Sequence, residues 1–162
     1  MTVGITKIGI AEARAARDPA VLVTLGLGSC VGVCLYDRFK RIIGMAHIML
    51  PSSIEIKNNS NRAKFADTAI EMLIKEMLGL GANKGRITAK IAGGAQMFSF
   101  KSANDLMRIG ERNVEAVRRE LKKHSVEIVA EDVGGSYGRT IEFYSKNGEL
   151  HIKTIGHGIN VI

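Results

Sequence analysis

The stretch Val21–Pro51, VLVTLGLGSCVGVCLYDRFKRIIGMAHIMLP, decides the fold, because it predicts three strands joined by two turns. Val21–Thr24 is apolar and β-branched, the segment after the glycines alternates apolar and small residues, and Ile42–Ile48 is apolar again. The glycines of LGLGSCVG free the backbone between the first two strands. We therefore expect a hairpin around a glycine turn, followed by a third strand.

Five polar or reactive side chains interrupt this apolar run: Thr24, Ser29, Cys30, Cys34 and His47. A thiol beside a glycine turn and a histidine on a later strand are the parts that a cysteine-based active site needs. A free thiol is mostly protonated at neutral pH, and an imidazole can accept its proton and later return it to a leaving amine. A carboxylate, amide or hydroxyl usually fixes the imidazole ring, and N–H groups of a glycine turn can stabilise an oxyanion.

The alternative interpretation of the same residues is structural. Free cysteine is among the most buried residue types, and a single histidine is commonly a satisfied structural residue. Cys34 has no glycine turn beside it and is predicted to be a small core residue. On one extended strand Cys30 and Cys34 lie roughly 13 Å apart, far beyond the ~7 Å Cα–Cα limit of a disulfide, so neither a disulfide nor a metal clip is expected.

The motifs TLGLGSCVGVCLYD and GMAHIMLP resemble the CheD family of chemoreceptor glutamine deamidases. The resemblance continues in KIAGGAQMF, IGERN and EDVGGSYGRTIEF, and therefore covers nearly the whole chain. In that family a Cys-His-Thr triad converts receptor glutamine side chains to glutamate and releases ammonia. The resemblance implies Cys30 as the nucleophile, His47 as the acid–base group and Thr24 as its partner, with Gly28 and Ser29 in the turn that binds substrate and oxyanion.

The resemblance also implies partners. Methyl-accepting chemoreceptors would be the protein substrates in chemotaxis adaptation, which makes the chain a protein-glutamine glutaminase with a cysteine nucleophile. The alternative is a non-catalytic role, because members of the family also dock onto and regulate CheC, a phosphatase acting on the response regulator CheY.

Length and composition bound the remaining possibilities. A chain of 162 residues is expected to form a single deamidase domain over residues 1–162. Two unpaired cysteines and no signal peptide favour the reducing cytoplasm, and no apolar run is long enough for direct membrane insertion. No cofactor is expected, because Gly26-x-Gly28 does not continue as a dinucleotide fingerprint, and no metal is expected from the histidine spacings.

The net charge of +7 has two interpretations. Basic proteins often bind nucleic acid, but this chain has no Trp and no recognisable nucleic-acid-binding module, so no nucleic-acid partner is expected. A positive field also attracts an acidic protein target. The resemblance gives the charge that use, because the signalling helices of the receptors are rich in glutamate.

The rest of the chain predicts an α+β fold. Amphipathic helices are predicted over Ala63–Leu80 and Asp105–His124. Further strands are predicted at Val3–Ala11, Arg86–Ala92, Val126–Val133, Arg139–Ser145 and Leu150–Ile155, with Arg14–Pro19 as a connection and Asn147-Gly148 as a type I′ turn. We expect a layered sandwich of mostly antiparallel strands with the two long helices on one side, the second strand layer being implied by the resemblance.

Two other segments are candidates for lining the site. The polar loop 52–62 follows the histidine strand, and it is either a lid or an ordinary exposed connection. Gly93-Gly94 either lets a substrate backbone approach closely or forms a simple bulge. The apolar C-terminal residues are expected to pack against the core.

Overall fold

The computed structural model describes residues 3–54, 56–97 and 108–162, and in that part of the chain it contains ten strands and two α-helices. In chain order they are β1 (Gly4–Ile8), β2 (Ala13–Arg17), β3 (Ala20–Leu27), β4 (Val31–Asp37), β5 (Ile42–Ile48), α1 (Ala66–Gly79), β6 (Ile87–Gly93), α2 (Ile109–Lys123), β7 (Glu127–Val133), β8 (Arg139–Tyr144), β9 (Leu150–Thr154) and β10 (Gly158–Val161). Neither helix, over the residues described, is long and apolar enough to cross a bilayer.

The strands form two five-stranded sheets. The first has the order β1-β3-β8-β9-β10 and the second the order β2-β5-β4-β6-β7. Only the β1–β3 and β6–β7 pairs are parallel, and the other pairs are antiparallel. The prediction of two helices with mostly antiparallel strands is therefore confirmed.

Two apolar clusters hold these elements together. The first is formed by residues of the second sheet and of both helices, among them Val33, Leu73 and Val117. The second is formed by residues of both sheets, among them Leu22 of β3 and Met45 of β5. Because side chains alternate along a strand, β4 and β5 contribute alternate residues to the two clusters.

The predicted hairpin of the first two strands is wrong. β3 pairs with β1 and β8 in the first sheet, whereas β4 pairs with β5 and β6 in the second. The β3–β8 register shifts between Thr24 and Leu27, and Gly26 has a φ of +69°. The glycine turn therefore carries the chain from one sheet to the other, and Cys30 lies at this crossover just before β4.

The N-terminal prediction is confirmed only for the strand Gly4–Ile8. The predicted strand Val3–Ala11 ends at Ile8, because the chain turns there and Ala11 takes a φ of +61°. The predicted connection Arg14–Pro19 contains the edge strand β2, which pairs only with β5. An edge strand can carry arginines on its solvent side, and this composition resembles that of a loop.

Three smaller predictions also change. The β8–β9 connection spans residues 145–149 with a positive φ at Gly148 but not at Asn147, so it is not a type I′ turn, which needs both. The packing predicted for the C-terminal residues is confirmed only at Ile162, which contacts the second apolar cluster, whereas Gly158–Val161 form the exposed strand β10. Helix α1 begins at Ala66, after a short 3₁₀ turn over Arg62–Lys64. Residues 105–107 of the second predicted helix lie outside the described residues.

Candidate active site

Two strands and one turn carry the residues implied as the triad. Thr24 lies on β3 of the first sheet, Cys30 lies in the turn before β4, and His47 lies on β5 of the second sheet. Thr24 and His47 are fully buried, and Cys30 is half-buried against the apolar cluster that the two sheets share.

Thr24 and His47 form a buried hydrogen-bonded pair. The Thr24 hydroxyl lies 2.7 Å from His47 Nδ1, and the same hydroxyl donates to the Ile8 carbonyl oxygen at 2.6 Å. A hydroxyl has one hydrogen to donate, and Thr24 donates it to the Ile8 carbonyl oxygen. Nδ1 must therefore carry the proton that Thr24 accepts, which leaves the lone pair of the neutral ring on Nε2.

The buried imidazole is held in its neutral form. Burial lowers the pKa of His47 from its ordinary 6.5 to about 4, because desolvation disfavours the charged ring. Its Nε2 atom is buried and has no hydrogen-bond partner among the described residues, Cys30 Sγ included. At neutral pH this nitrogen is therefore unprotonated and able to accept a proton.

The β4–β5 register places Cys30 and His47 toward the same face of the second sheet. Gly32 pairs directly opposite His47, and Cys30 lies two residues before Gly32. Cys30 packs against the apolar cluster on this face, which also holds Cys34 of β4 and Met45 of β5.

The Cys30 thiol is itself protonated in this environment. Burial raises the pKa of the Cys30 thiol above its ordinary value, and a bond from its own backbone N–H opposes this only in part. With the imidazole pKa lowered and the thiol pKa raised, the resting pair is neutral rather than a thiolate–imidazolium pair.

The turn before Cys30 is held by backbone hydrogen bonds. Gly28 N–H donates to the Gly26 carbonyl at 3.0 Å, and the Gly28 and Cys30 carbonyls accept from Ala95 and Gly94 N–H, both at 2.8 Å. The Gly28 N–H is therefore occupied. Within the described part of the chain, no backbone hydrogen bond occupies the N–H groups of Ser29 and Cys30.

Glycines shape the walls of this turn. Gly93 has a φ of +111°, and a Cβ there would clash with the Cys30 carbonyl oxygen. A Cβ on Gly28 would lie 3.2 Å from the Met97 side chain, so Met97 covers that part of the turn. Gly93-Gly94 therefore lies directly against the cysteine turn.

Sequence reasoning missed two groups at this site. One is the Ile8 carbonyl, which has no sequence signal because it is a backbone group on another strand. The other is Asn113 on α2, whose side-chain NH₂ donates to the Ser29 and Met49 carbonyls. Asn113 belongs to the IGERN motif, and that motif was the only available signal.

The other cysteine, Cys34, is not part of this arrangement. Cys34 is fully buried in the shared cluster, as predicted, and burial strongly raises its thiol pKa. Both cysteines are free. Over residues 3–54, 56–97 and 108–162, no three His, Cys, Asp or Glu side chains group together as metal ligands.

Known proteins with similar sequences share one description. A family model described as CheD chemotactic sensory transduction matches residues 49–154. A Caldanaerobacter subterraneus subsp. tengcongensis protein named probable chemoreceptor glutamine deamidase CheD is 58% identical over 158 residues, 98% of this chain and 98% of that protein. A Halalkalibacterium halodurans protein named chemoreceptor glutamine deamidase CheD is 53% identical over 155 residues, 95% of this chain and 96% of that protein.

A distant structural likeness was also found. The crystal structure of Neisseria meningitidis protein NMB0706, of the DUF152 family, gives a TM-score of 0.46 at 10% identity. The match covers 83% of this chain and 63% of that chain.

Proposed function

The chain belongs to the CheD family, and we propose that it is a chemoreceptor glutamine deamidase with Cys30, His47 and Thr24 as its triad. The observation that carries the proposal is the buried neutral imidazole of His47, fixed by Thr24 on the sheet face that the half-buried Cys30 shares. The names of the relatives support the same reaction.

The proposed reaction has two hydrolytic steps. His47 Nε2 takes the Cys30 proton, and the sulfur attacks the carbonyl carbon of a glutamine side chain. The tetrahedral oxyanion accepts hydrogen bonds from the N–H groups of Ser29 and Cys30, since the N–H of Gly28 is occupied. The imidazolium then protonates the –NH₂ group as its C–N bond breaks, so that ammonia leaves and a thioester remains.

Water completes the reaction. The His47 imidazole, neutral again, removes a proton from a water molecule that attacks the thioester carbonyl. The C–S bond breaks, the proton returns to Cys30, and glutamate is released. The overall change is glutamine plus water to glutamate plus ammonia, with no cofactor or metal in any step.

The partners and location form part of the same proposal. Methyl-accepting chemoreceptors are the proposed substrates, and the net charge of +7 suits an acidic protein target. Two free cysteines support a location in the reducing cytoplasm. CheC as a docking partner stays a prediction.

The layered sandwich is proposed for residues 1–162 as one domain, with both helices on one side. The arrangement is supported by the two apolar clusters. One lies between the second sheet and the helices, and the other lies between the two sheets.

The direct test is conversion of receptor glutamine by the purified protein. Incubation with a cytoplasmic chemoreceptor fragment is expected to convert specific glutamines to glutamate, seen by peptide mass spectrometry, with an equal amount of ammonia released. A receptor fragment incubated without the protein controls for spontaneous deamidation. Unchanged receptor peptides after long incubation would contradict the proposal.

Replacing Thr24 tests the orientation of the imidazole. Thr24→Val keeps the shape but removes the acceptor of His47 Nδ1–H, so the ring loses its fixed tautomer. We expect kcat to fall on the order of 100-fold, less than the roughly 10⁴-fold cost of the wrong tautomer in a triad with a carboxylate. Thr24→Ser keeps the hydroxyl and is the matched control, expected to retain most activity. Equal rates for the valine and serine variants would remove Thr24 from the triad.

A further inference from the structure

One side chain bridges the two chain segments that carry the proposed nucleophile and base. Asn113 Nδ2 donates to the Ser29 carbonyl at 3.0 Å and to the Met49 carbonyl at 3.1 Å. Ser29 directly precedes Cys30, and Met49 lies two residues after His47. The NH₂ group of one amide therefore donates to both chain segments of the site.

The bridge lies where the strand pairing between these segments stops. β4 and β5 are paired from Asp37–Ile42 up to Val31–Ile48, and the ladder ends there. Beyond that pair, no described backbone hydrogen bond joins the cysteine turn to the residues after β5. Asn113 supplies the connection that the ladder no longer provides.

The packing of α2 brings Asn113 to this position. Gly110 and Asn113 lie three residues apart on one helix face, and a Cβ on Gly110 would clash with the Ala95 carbonyl oxygen. The first turn of α2 therefore rests on the backbone of Gly94 and Ala95, whose N–H groups donate to the Cys30 and Gly28 carbonyls. The same segment supports the helix and the cysteine turn.

Packing alone does not account for an amide at this position. Asn113 is fully buried, and its Oδ1 atom has no hydrogen-bond partner among the described residues. A buried unpaired acceptor carries its full desolvation cost, which an apolar side chain of similar size would avoid. The unpaired Oδ1 atom is a cost that packing does not explain, while the NH₂ group donates only to the two site segments.

We propose that Asn113 is a positioning residue that sets the separation between the Cys30 sulfur and the His47 imidazole. The inference rests on the proposed deamidation, because it assigns Asn113 to the geometry of that reaction. It also makes a claim of its own: the Asn113 amide holds the cysteine turn against the end of β5. Without it the turn moves independently of His47.

The test compares Asn113→Ala with Val117→Ala. Val117 is fully buried one turn later on the same helix and contacts the core instead of the turn, so it is the matched control for lost packing. For Asn113→Ala we expect kcat to fall about 100-fold with KM within about threefold, since a displacement of ~1 Å at a reacting centre has a cost of this size. For Val117→Ala we expect a lower melting temperature and kcat within about threefold of the wild type.

A second readout does not depend on deamidation. Release of the turn exposes the Cys30 thiol, so iodoacetamide is expected to alkylate Cys30 several-fold faster in Asn113→Ala and at the wild-type rate in Val117→Ala. Asn113→Leu fills the site more fully and guards against a variant that does not fold, and the same loss of kcat and faster alkylation are expected for it.

The outcomes separate the two proposals. If the wild type fails to deamidate receptors, the proposed function falls, while the alkylation rates still decide whether Asn113 holds the turn. An unchanged alkylation rate in both Asn113 variants would overturn the positioning role. So would a kcat within threefold of the wild type, or an equal loss of kcat in Val117→Ala.

Discussion

Cys30→Ala is expected to abolish deamidation, with kcat falling on the order of 10⁴-fold or more. Loss of the nucleophile from a catalytic triad has an effect of at least this size, because the remaining groups cannot form the covalent intermediate. In the proposed mechanism the thioester carbon is bonded to this sulfur, and no other described side chain near the turn offers a thiol. Ammonia release and peptide mass, measured on the same receptor fragment, report the loss directly.

Cys34→Ala is the control for removing a thiol from this chain. Cys34 lies four residues further along, fully buried in the shared apolar cluster, and burial strongly raises its thiol pKa. A thiol of this kind is inert, so the variant is expected to keep its activity apart from a modest loss of stability. Similar losses for both cysteine variants would indicate damage to the fold rather than loss of a nucleophile.

The same variant separates the enzyme from the docking alternative. Full deamidation by Cys30→Ala would contradict the proposed mechanism outright. If the folded variant binds CheC, lacks deamidase activity and still restores chemotaxis to cells lacking the protein, docking is the dominant role. Failure to restore chemotaxis under those conditions supports catalysis as the role that matters.

The sequence was sufficient for the elements with the clearest local patterns. Ile42–Ile48 was predicted with the bounds that the structure has, because a continuous apolar run between turns depends on no distant partner. The body of α1 was predicted for a similar reason, since its apolar residues recur at helical spacing. Local periodicity was therefore enough to place His47 on a buried strand.

Pairing between distant segments could not be predicted in this way. Nothing local indicates that β3 pairs with β8 rather than β4, because a glycine turn serves equally in a hairpin and in a crossover between sheets. Ala13–Arg17 carries two arginines because it is an edge strand, and its partner residues lie 25 or more positions away in the sequence. The Asn113 bridge and the Ile8 carbonyl are likewise contacts between residues far apart in the chain.

His47→Gln is expected to lower kcat on the order of 10³-fold or more, because the base that takes the Cys30 proton is lost. The glutamine side chain keeps polar atoms near Thr24 but offers no group that accepts and returns a proton at neutral pH.

Alkylation of Cys30 checks the protonation state of its thiol. Because burial raises the pKa of the Cys30 thiol, its alkylation rate is expected to increase only at a pH above that at which a free cysteine ionises. The same is expected in the wild type and in His47→Gln. A fast alkylation plateau at acid pH that vanishes in His47→Gln would instead indicate a resting thiolate–imidazolium pair.

The pH dependence of the wild type follows from the same burial. In the proposed mechanism the neutral imidazole is the active form, so kcat/KM is expected to hold as pH falls past 6.5 and to decline only through about pH 4, the lowered pKa of His47.

The stability of the fold is expected to change over the same pH window. A lowered pKa means that the unfolded chain binds the proton more tightly, so the stability that the neutral ring contributes is complete above pH 6.5 and is lost as pH falls toward 4. The loss amounts to about 3 kcal/mol. Denaturant titrations of wild type and His47→Gln at pH 7 and pH 4 measure it, and the variant is expected to lose correspondingly less. An activity limb near pH 6.5, or equal acid sensitivity in both proteins, would mean that His47 is open to water and not the buried base of this site.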